Sequence, residues 1–146
     1  MTSPAFLVRH AEAAAGAGGQ DADRRLTPGG REAFARLLAA LGPALQVKAV
    51  LASPLVRARE TAELLARATG AAVDVREELA SGAGDGREIL ALARAAGPGA
   101  ALVGHNPEMA EALALAAGGS IAVPPGTVAA VDLGDARPRL LWLRSP

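Results

Sequence analysis

With 146 residues and 15 basic against 15 acidic side chains, the chain has the length expected of one domain, 1–146, and no net charge. The absence of cysteine excludes disulfide bonds, a thiolate nucleophile and sulfur-ligated zinc, and the lack of a dense lysine or arginine run argues against nucleic acid as a partner. No basic segment precedes the apolar start, which Arg9 cuts short, so we expect a cytoplasmic protein with neither a signal peptide nor a membrane span.

The first half of the chain predicts two strands, each followed by a helix. The apolar run 5–10 indicates a buried strand, and the small, Gly-rich stretch 11–20 indicates a mobile loop beside the strand's end. A helix is predicted over 28–41, because a Thr-Pro pair marks its start and a Gly-Pro pair follows its end. A second strand over 47–52 leads into a second helix over 54–70.

In the second half, short strands again alternate with helices. The strands are expected over residues 72–76, 100–105, 128–133 and 140–143, the last of them at an edge. Helices are expected over 87–96, after a Gly-rich polar loop, and from the end of the following strand to residue 117. This alternation predicts an α/β fold, a three-layer α/β/α sandwich with a mostly parallel sheet.

Three of the predicted strands end in residues that suit an anion. Arg9 and His10 end the first strand, Ser53 follows the second, and His105 ends a later one. In parallel α/β sheets, ligands bind outside the carboxyl ends of the strands, so these side chains are expected to meet. One such histidine would more often be a buried, satisfied side chain. Because both histidines of the chain stand at strand ends, we predict a site for a phosphoryl group.

Each of these residue types suggests its own role. The neutral imidazole of His10 can attack phosphorus and hold the phosphoryl group covalently. Arg9 and Arg57 would grip the phosphate oxygens, and His105 would donate a hydrogen bond that stabilises the transferring group. Arg57 is expected within the first turn of the second helix, where it can reach back to the strand end. Arg59 lies about 200° around the helix axis from it and should face elsewhere.

Two further polar residues stand at helix starts beside these strands. Ser53 precedes the second helix, and Asn106 follows His105 as the expected N-cap of its helix. Free N–H groups and the helix dipole favour anions at such positions, so both residues are predicted to bind substrate. Each motif taken alone would also fit a capped helix at the protein surface.

Taken together, these motifs resemble the histidine phosphatase superfamily. The similarity lies in residues 7–12, 23–30, 53–61 and 104–106, in the family's order and over nearly the whole chain. An alanine follows Arg9-His10 where the signature has glycine, as is common in the short bacterial branch, and the chain is most similar to phosphohistidine phosphatases of the SixA type. The resemblance implies a phosphoglycerate-mutase-like fold with His10 as the phosphorylated nucleophile. Arg9, Arg57 and His105 would complete the phosphate pocket.

The chain departs from larger family members in the segment that carries their general acid. That insert, which follows the third strand, is short here. Glu78 is the possible general acid, and Asp85 and Glu12 are further candidates. An imidazole leaves phosphorus more easily than an alkoxide, which needs a proton donor. A site without a dedicated acid therefore suits phosphohistidine, and the short insert implies an open mouth that a protein surface can reach.

The sequence thus predicts a metal-independent phosphatase, with no cofactor, that acts through phospho-His10. Its expected partner is a phosphorylated protein carrying phosphohistidine. A small phosphate ester is the alternative, which would make the protein a small-molecule phosphomonoesterase on the same scaffold. A catalytically silent phosphate-binding module is a third possibility from a different class.

Overall fold

The structure, a computed structural model, describes residues 4–15 and 21–146. Its strands are β1 (Ala5–Arg9), β2 (Ala49–Ala52), β3 (Ala72–Val75), β4 (Ala100–Gly104), β5 (Val128–Asp132) and β6 (Arg139–Arg144). Its helices are α1 (Pro28–Leu41), α2 (Val56–Thr69), α3 (Gly86–Ala96) and α4 (Glu108–Ala117). Part of the loop predicted over 11–20 lies outside the described residues. In the part of the chain that is described, no helix is long and apolar enough to cross a membrane.

The strands form one mixed sheet in the order β3-β2-β4-β1-β5-β6. The four strands from β3 to β1 run parallel to one another, and β5 and β6 add to the β1 side in antiparallel fashion. The prediction of a mostly parallel sheet with its last strand at an edge is therefore confirmed. Because β1 and β4 are parallel neighbours with Arg9 opposite Gly104, both strands end at the same level of the sheet.

Helices cover both faces of this sheet and make the three predicted layers. Phe6 and Val8 of β1 point into a core formed with α1 and α2, whereas Leu7 points into the core formed with α3 and α4. Strands that are buried on both faces read as continuous apolar runs, which is why β1 and β4 show no alternation with polar residues. Phe6 also contacts Trp142 of β6, with ring centroids 6.2 Å apart.

The helix ends follow the sequence signals in part. Thr27 caps α1 by accepting a hydrogen bond from the Gly30 amide at 2.9 Å, and Gly70 ends α2 in the left-handed conformation. Two helices begin later than predicted, however, because α2 starts at Val56 and α4 at Glu108. The prediction that Asn106 caps α4 is wrong, since its side chain makes a different contact. The residues between each strand end and its helix are thereby left to line the end of the sheet.

Candidate active site

The two histidines lie side by side where β1 and β4 end. The amide of His10 donates to the carbonyl of Gly104 at 3.0 Å, which continues the ladder between these strands by one residue. The two imidazole rings are 5.2 Å apart between centroids, and both side chains are buried. Strand register alone therefore places two residues distant in sequence in one small region of the protein.

The ring of His10 is held in one tautomer. Its Nδ1 lies 2.7 Å from the carbonyl oxygen of Ala11, and because a carbonyl can only accept, Nδ1 carries the hydrogen. The pKa of His10 is lowered to about 4, mainly by burial; the Ala11 hydrogen bond raises the pKa, and the charges of Arg57 and Arg9 lower it. At neutral pH the ring is uncharged, so Nε2 has a free lone pair. This is the form that can attack an electrophile.

His105 is also neutral but makes different contacts. Its Nε2 lies 2.7 Å from the hydroxyl oxygen of Ser53, and its Nδ1 is buried with no hydrogen-bond partner among the described residues. Burial lowers the pKa of His105 to about 3, with smaller contributions from the positive charge of Arg57 and from His10.

Two guanidinium groups flank the histidines. Arg57, in the first turn of α2, is almost fully buried and donates through Nη1 to the carbonyl of Asp21 at 2.9 Å and through Nη2 to its carboxylate at 3.2 Å. Arg9 donates through Nη1 to the carbonyl of Val123 at 3.0 Å. The Nε atoms of both arginines are buried without an acceptor in the described part of the chain. Burial and the charge of Arg24 lower the pKa of Arg9.

The two residues predicted at helix starts contact protein groups. The Asn106 side chain donates through Nδ2 to the carbonyl of Val123 at 3.0 Å, while its Oδ1 is buried without a described partner. The Ser53 hydroxyl oxygen accepts from the amide of Leu55 at 3.2 Å and contacts His105. Both residues therefore lie at the ends of β2 and β4, within the group formed by the histidines and arginines.

The three carboxylates considered as a general acid are all exposed and already engaged. Glu78 pairs with Arg76 at 2.7 Å, and this hydrogen bond lowers the pKa of Glu78. Asp85 caps α3, and Glu12 accepts from the Thr27 hydroxyl at 2.8 Å. A carboxylate that stays ionised is a poor proton donor, so the geometry gives Glu78 little aptitude for that role.

Sequence reasoning missed the groups that orient these side chains. Asp21 binds Arg57, the carbonyl of Val123 binds both Arg9 and Asn106, and the Thr61 hydroxyl accepts from the amide of Ala11 at 3.0 Å. Asp21 lies just before the family-like stretch 23–30, and Thr61 lies within the family-like stretch 53–61. These positions are therefore a weak indication that both residues belong to the site. Val123 contributes only its backbone carbonyl, so its side-chain identity gave no indication of this contact.

The site therefore combines a neutral imidazole that has a free lone pair with two guanidinium Nε–H groups that have no acceptor among the described residues. Within residues 4–15 and 21–146, no three histidine, aspartate or glutamate side chains gather as metal ligands. Two guanidinium groups lie beside the histidines, and groups of this kind match phosphate oxygens in charge and geometry.

Comparison with known proteins identifies a sequence family for this arrangement. The model of the histidine phosphatase superfamily (branch 1) matches residues 5–94, a segment that contains His10 and Arg57. A comparison with curated proteins returned no match.

Solved structures share the fold over the whole chain. The protein histidine phosphatase SixA complexed with tungstate is 24% identical with a TM-score of 0.83, and the match covers 98% of this chain and 97% of that one. A candidate phosphohistidine phosphatase SixA from Agrobacterium tumefaciens is 25% identical with a TM-score of 0.85, covering 100% of this chain and 99% of that one. A phosphoserine phosphatase from Entamoeba histolytica is 14% identical with a TM-score of 0.73, covering 99% and 98%.

Proposed function

Because the chain belongs to the histidine phosphatase superfamily, branch 1, we propose that its phosphatase chemistry proceeds through a covalent phosphoryl group on His10. The observation that carries this proposal is the 2.7 Å hydrogen bond from His10 Nδ1 to the carbonyl of Ala11. It leaves the other ring nitrogen, Nε2, unprotonated in a buried and neutral imidazole. A nucleophile needs this form before it can attack phosphorus.

The reaction has two displacements. In the first, the Nε2 lone pair forms a bond to phosphorus while the bond to the leaving group breaks, and the leaving group departs with that electron pair. In the second, a water molecule adds to phosphorus, the N–P bond breaks, and inorganic phosphate and neutral His10 are released. The backbone carbonyl of Ala11 keeps the ring oriented in both steps.

Charge on the transferring group is stabilised by the arginines and His105. Arg9 and Arg57 are cationic and partly or fully buried, so their interaction with phosphate oxygens is weakly screened by water. Their buried Nε atoms, like Nδ1 of His105, have no acceptor among the described residues, and phosphoryl oxygens are suitable acceptors.

With two guanidinium groups in place, we propose that turnover needs no metal ion. The expected outcome is full activity in the presence of EDTA, and activity that EDTA removes and a divalent ion restores would contradict it.

The substrate we propose is phosphohistidine on a protein. The three carboxylates considered as a general acid, Glu12, Glu78 and Asp85, are exposed and engaged in a hydrogen bond, an ion pair and a helix cap, so none of the three is held ready to protonate an alkoxide. An imidazole leaving group makes a smaller demand of this kind. The similarity to phosphohistidine phosphatases of the SixA type supports the same substrate class.

Turnover of a histidine-phosphorylated protein domain, measured beside p-nitrophenyl phosphate and phosphoserine, tests the substrate class. We expect kcat/KM to fall steeply with leaving-group basicity, with phosphohistidine and p-nitrophenyl phosphate far ahead of phosphoserine. Glu78→Gln should change these rates by less than about threefold, since that carboxylate is tied to Arg76. A preference for phosphoserine that collapses in Glu78→Gln would instead establish a small-molecule phosphomonoesterase.

His10→Ala tests the covalent route. The variant should fold normally, because the side chain ends a strand and makes one hydrogen bond, but it should lose turnover completely. Brief incubation of the wild type with substrate should yield an acid-labile, alkali-stable phosphoprotein that His10→Ala does not form. Near-wild-type activity in the variant would overturn the proposal, and binding of phosphate without any turnover in the wild type would indicate a silent binding module.

A further inference from the structure

The hydroxyl of Ser53 has contacts that set it apart from a group that binds substrate. Ser53 is fully buried, its oxygen accepts from the Leu55 amide at 3.2 Å, and it lies 2.7 Å from Nε2 of His105. These are its contacts among the described residues. Between Ser53 and His105 there are two hydrogens to place, one on the Ser53 hydroxyl and one on the neutral His105 ring, and only one of them can lie in the hydrogen bond between Ser53 and Nε2.

Two arrangements of these hydrogens are possible. If Nε2 of His105 carries the ring hydrogen and donates it to Ser53, the Ser53 hydrogen has no described acceptor and Nδ1 of His105 is a buried lone pair without a donor. If Ser53 instead donates to Nε2, the hydroxyl is satisfied as donor and acceptor, and one group is left over, an N–H at Nδ1. The second arrangement leaves one unmatched polar group rather than two, and unmatched buried groups are costly.

We propose that Ser53 is a positioning residue whose hydroxyl donates to Nε2 of His105 and so keeps the ring hydrogen on Nδ1. A neutral imidazole then presents an N–H to the phosphoryl oxygens, which is the polarity that stabilises negative charge developing there. In the opposite tautomer, Nδ1 would present a lone pair and repel the same oxygens. This inference rests on the proposed function of the site and refines the predicted role of Ser53 as a substrate ligand.

The chain makes this tautomer directly measurable, because His10 and His105 are its only histidines. In 15N-labelled protein, long-range 1H–15N spectra should show two imidazoles, each with its hydrogen on Nδ1. In Ser53→Ala, the His105 signals should move toward the Nε2–H tautomer while those of His10, held by the Ala11 carbonyl, stay unchanged. A wild-type His105 already in the Nε2–H form, or a tautomer that Ser53→Ala leaves unchanged, would overturn the proposal.

Kinetics test whether the tautomer matters. Ser53→Ala should lower kcat by about tenfold to a hundredfold with a smaller change in KM, because the lost interaction is strongest in the transition state. Ser53→Thr keeps the hydroxyl and should recover most of kcat if it folds. Thr69→Val removes a hydroxyl that bonds within α2, to the Leu65 carbonyl at 2.8 Å, and is the matched control with unchanged activity.

The possible failures can be told apart. An inactive His10→Ala together with a fully active, folded Ser53→Ala would overturn the role of Ser53 and leave the proposed function standing. If the chain turned over no phosphohistidine or phosphate ester at all, the proposed function would fail, whereas the NMR measurement would still decide which group donates between Ser53 and His105. Urea unfolding of each variant separates loss of fold from loss of function.

Discussion

Arg9, His10, Arg57 and His105 bring two positive charges and two ionisable rings into a region largely removed from water. The imidazoles respond by losing their protons, because burial and the neighbouring guanidinium groups both disfavour a charged ring. The arginines remain charged, and each makes hydrogen bonds to protein oxygens through the Nη atoms. Asp21 supplies one negative charge, at Arg57, whereas Arg9 contacts no carboxylate among the described residues, so an incoming phosphate would balance the remaining positive charge of the site.

Two arginines near the start of the second helix, Arg57 and Arg59, provide a matched comparison. Arg57 is buried against Asp21, whereas Arg59, two residues later, is exposed and has no carboxylate partner among the described residues. Arg57→Ala should lower kcat/KM by about a hundredfold, the usual cost of removing one donor to a developing charge. Arg59→Ala should stay within about twofold of wild type. Equal, small effects in both variants would show that the start of α2 is not part of the site.

Much of the candidate site could be anticipated from the positions of the residues, since Arg9, His10 and His105 stand at the ends of β1 and β4, which are parallel neighbours. The remaining contacts could not. Asp21 and the Val123 carbonyl belong to segments that are distant in sequence from the arginines they bind. Contacts of this kind leave no periodic pattern in the sequence.

At the scale of elements, helix ends were predicted better than helix beginnings. Gly70 and Gly118 stop α2 and α4 in the left-handed conformation, which few other residues adopt. The beginnings of the same helices were misplaced because Ser53 and Asn106, both typical N-cap residues, serve other purposes. Ser53 contacts His105 and Asn106 contacts the Val123 carbonyl, so each helix starts only after these residues.

The packing of α3 against α4 depends on a glycine. A Cβ atom at Gly86 would lie 2.5 Å from the backbone nitrogen of Ala112, and backbone cannot move aside as a flexible side chain can. Gly86→Ala should therefore destabilise the protein by about 1–3 kcal/mol in urea unfolding. Gly29→Ala is the control, since a Cβ at that position of α1 meets nothing within 4 Å and should leave stability unchanged or raise it by up to about 1 kcal/mol. Equal stability of the two variants would argue against this close helix contact.

For the whole molecule, the two neutral histidines link stability to pH. Their pKa values are lowered to about 4 and about 3 in the folded state, whereas an unfolded histidine has a pKa near 6.5. Below about pH 6.5 the histidines of the unfolded chain bind protons, whereas those of the folded protein do not. The free energy of unfolding is therefore highest above about pH 6.5 and falls as the pH drops toward 4. This window lies above the range in which most carboxylates titrate.

Unfolding free energies measured in urea between pH 8 and pH 5 should show this loss. Each histidine should contribute about 2 kcal/mol of it at pH 5, and His10→Gln should lose about half as much as the wild type over the same interval. A free energy of unfolding independent of pH from 8 to 5 would show that the rings are not buried as neutral groups.

The place of β4 in the sheet has a consequence for synthesis. β4 lies between β2 and β1, yet a ribosome makes it after both of these neighbours. Because translation proceeds from the amino terminus, the early strands emerge with the central position between them still unfilled. His105 arrives only with that late strand, and its ring reaches His10 only when β4 has entered the gap. A nascent chain therefore exposes His10, the proposed nucleophile, before His105 is in place, and the candidate site can form only after β4 has joined β1 and β2.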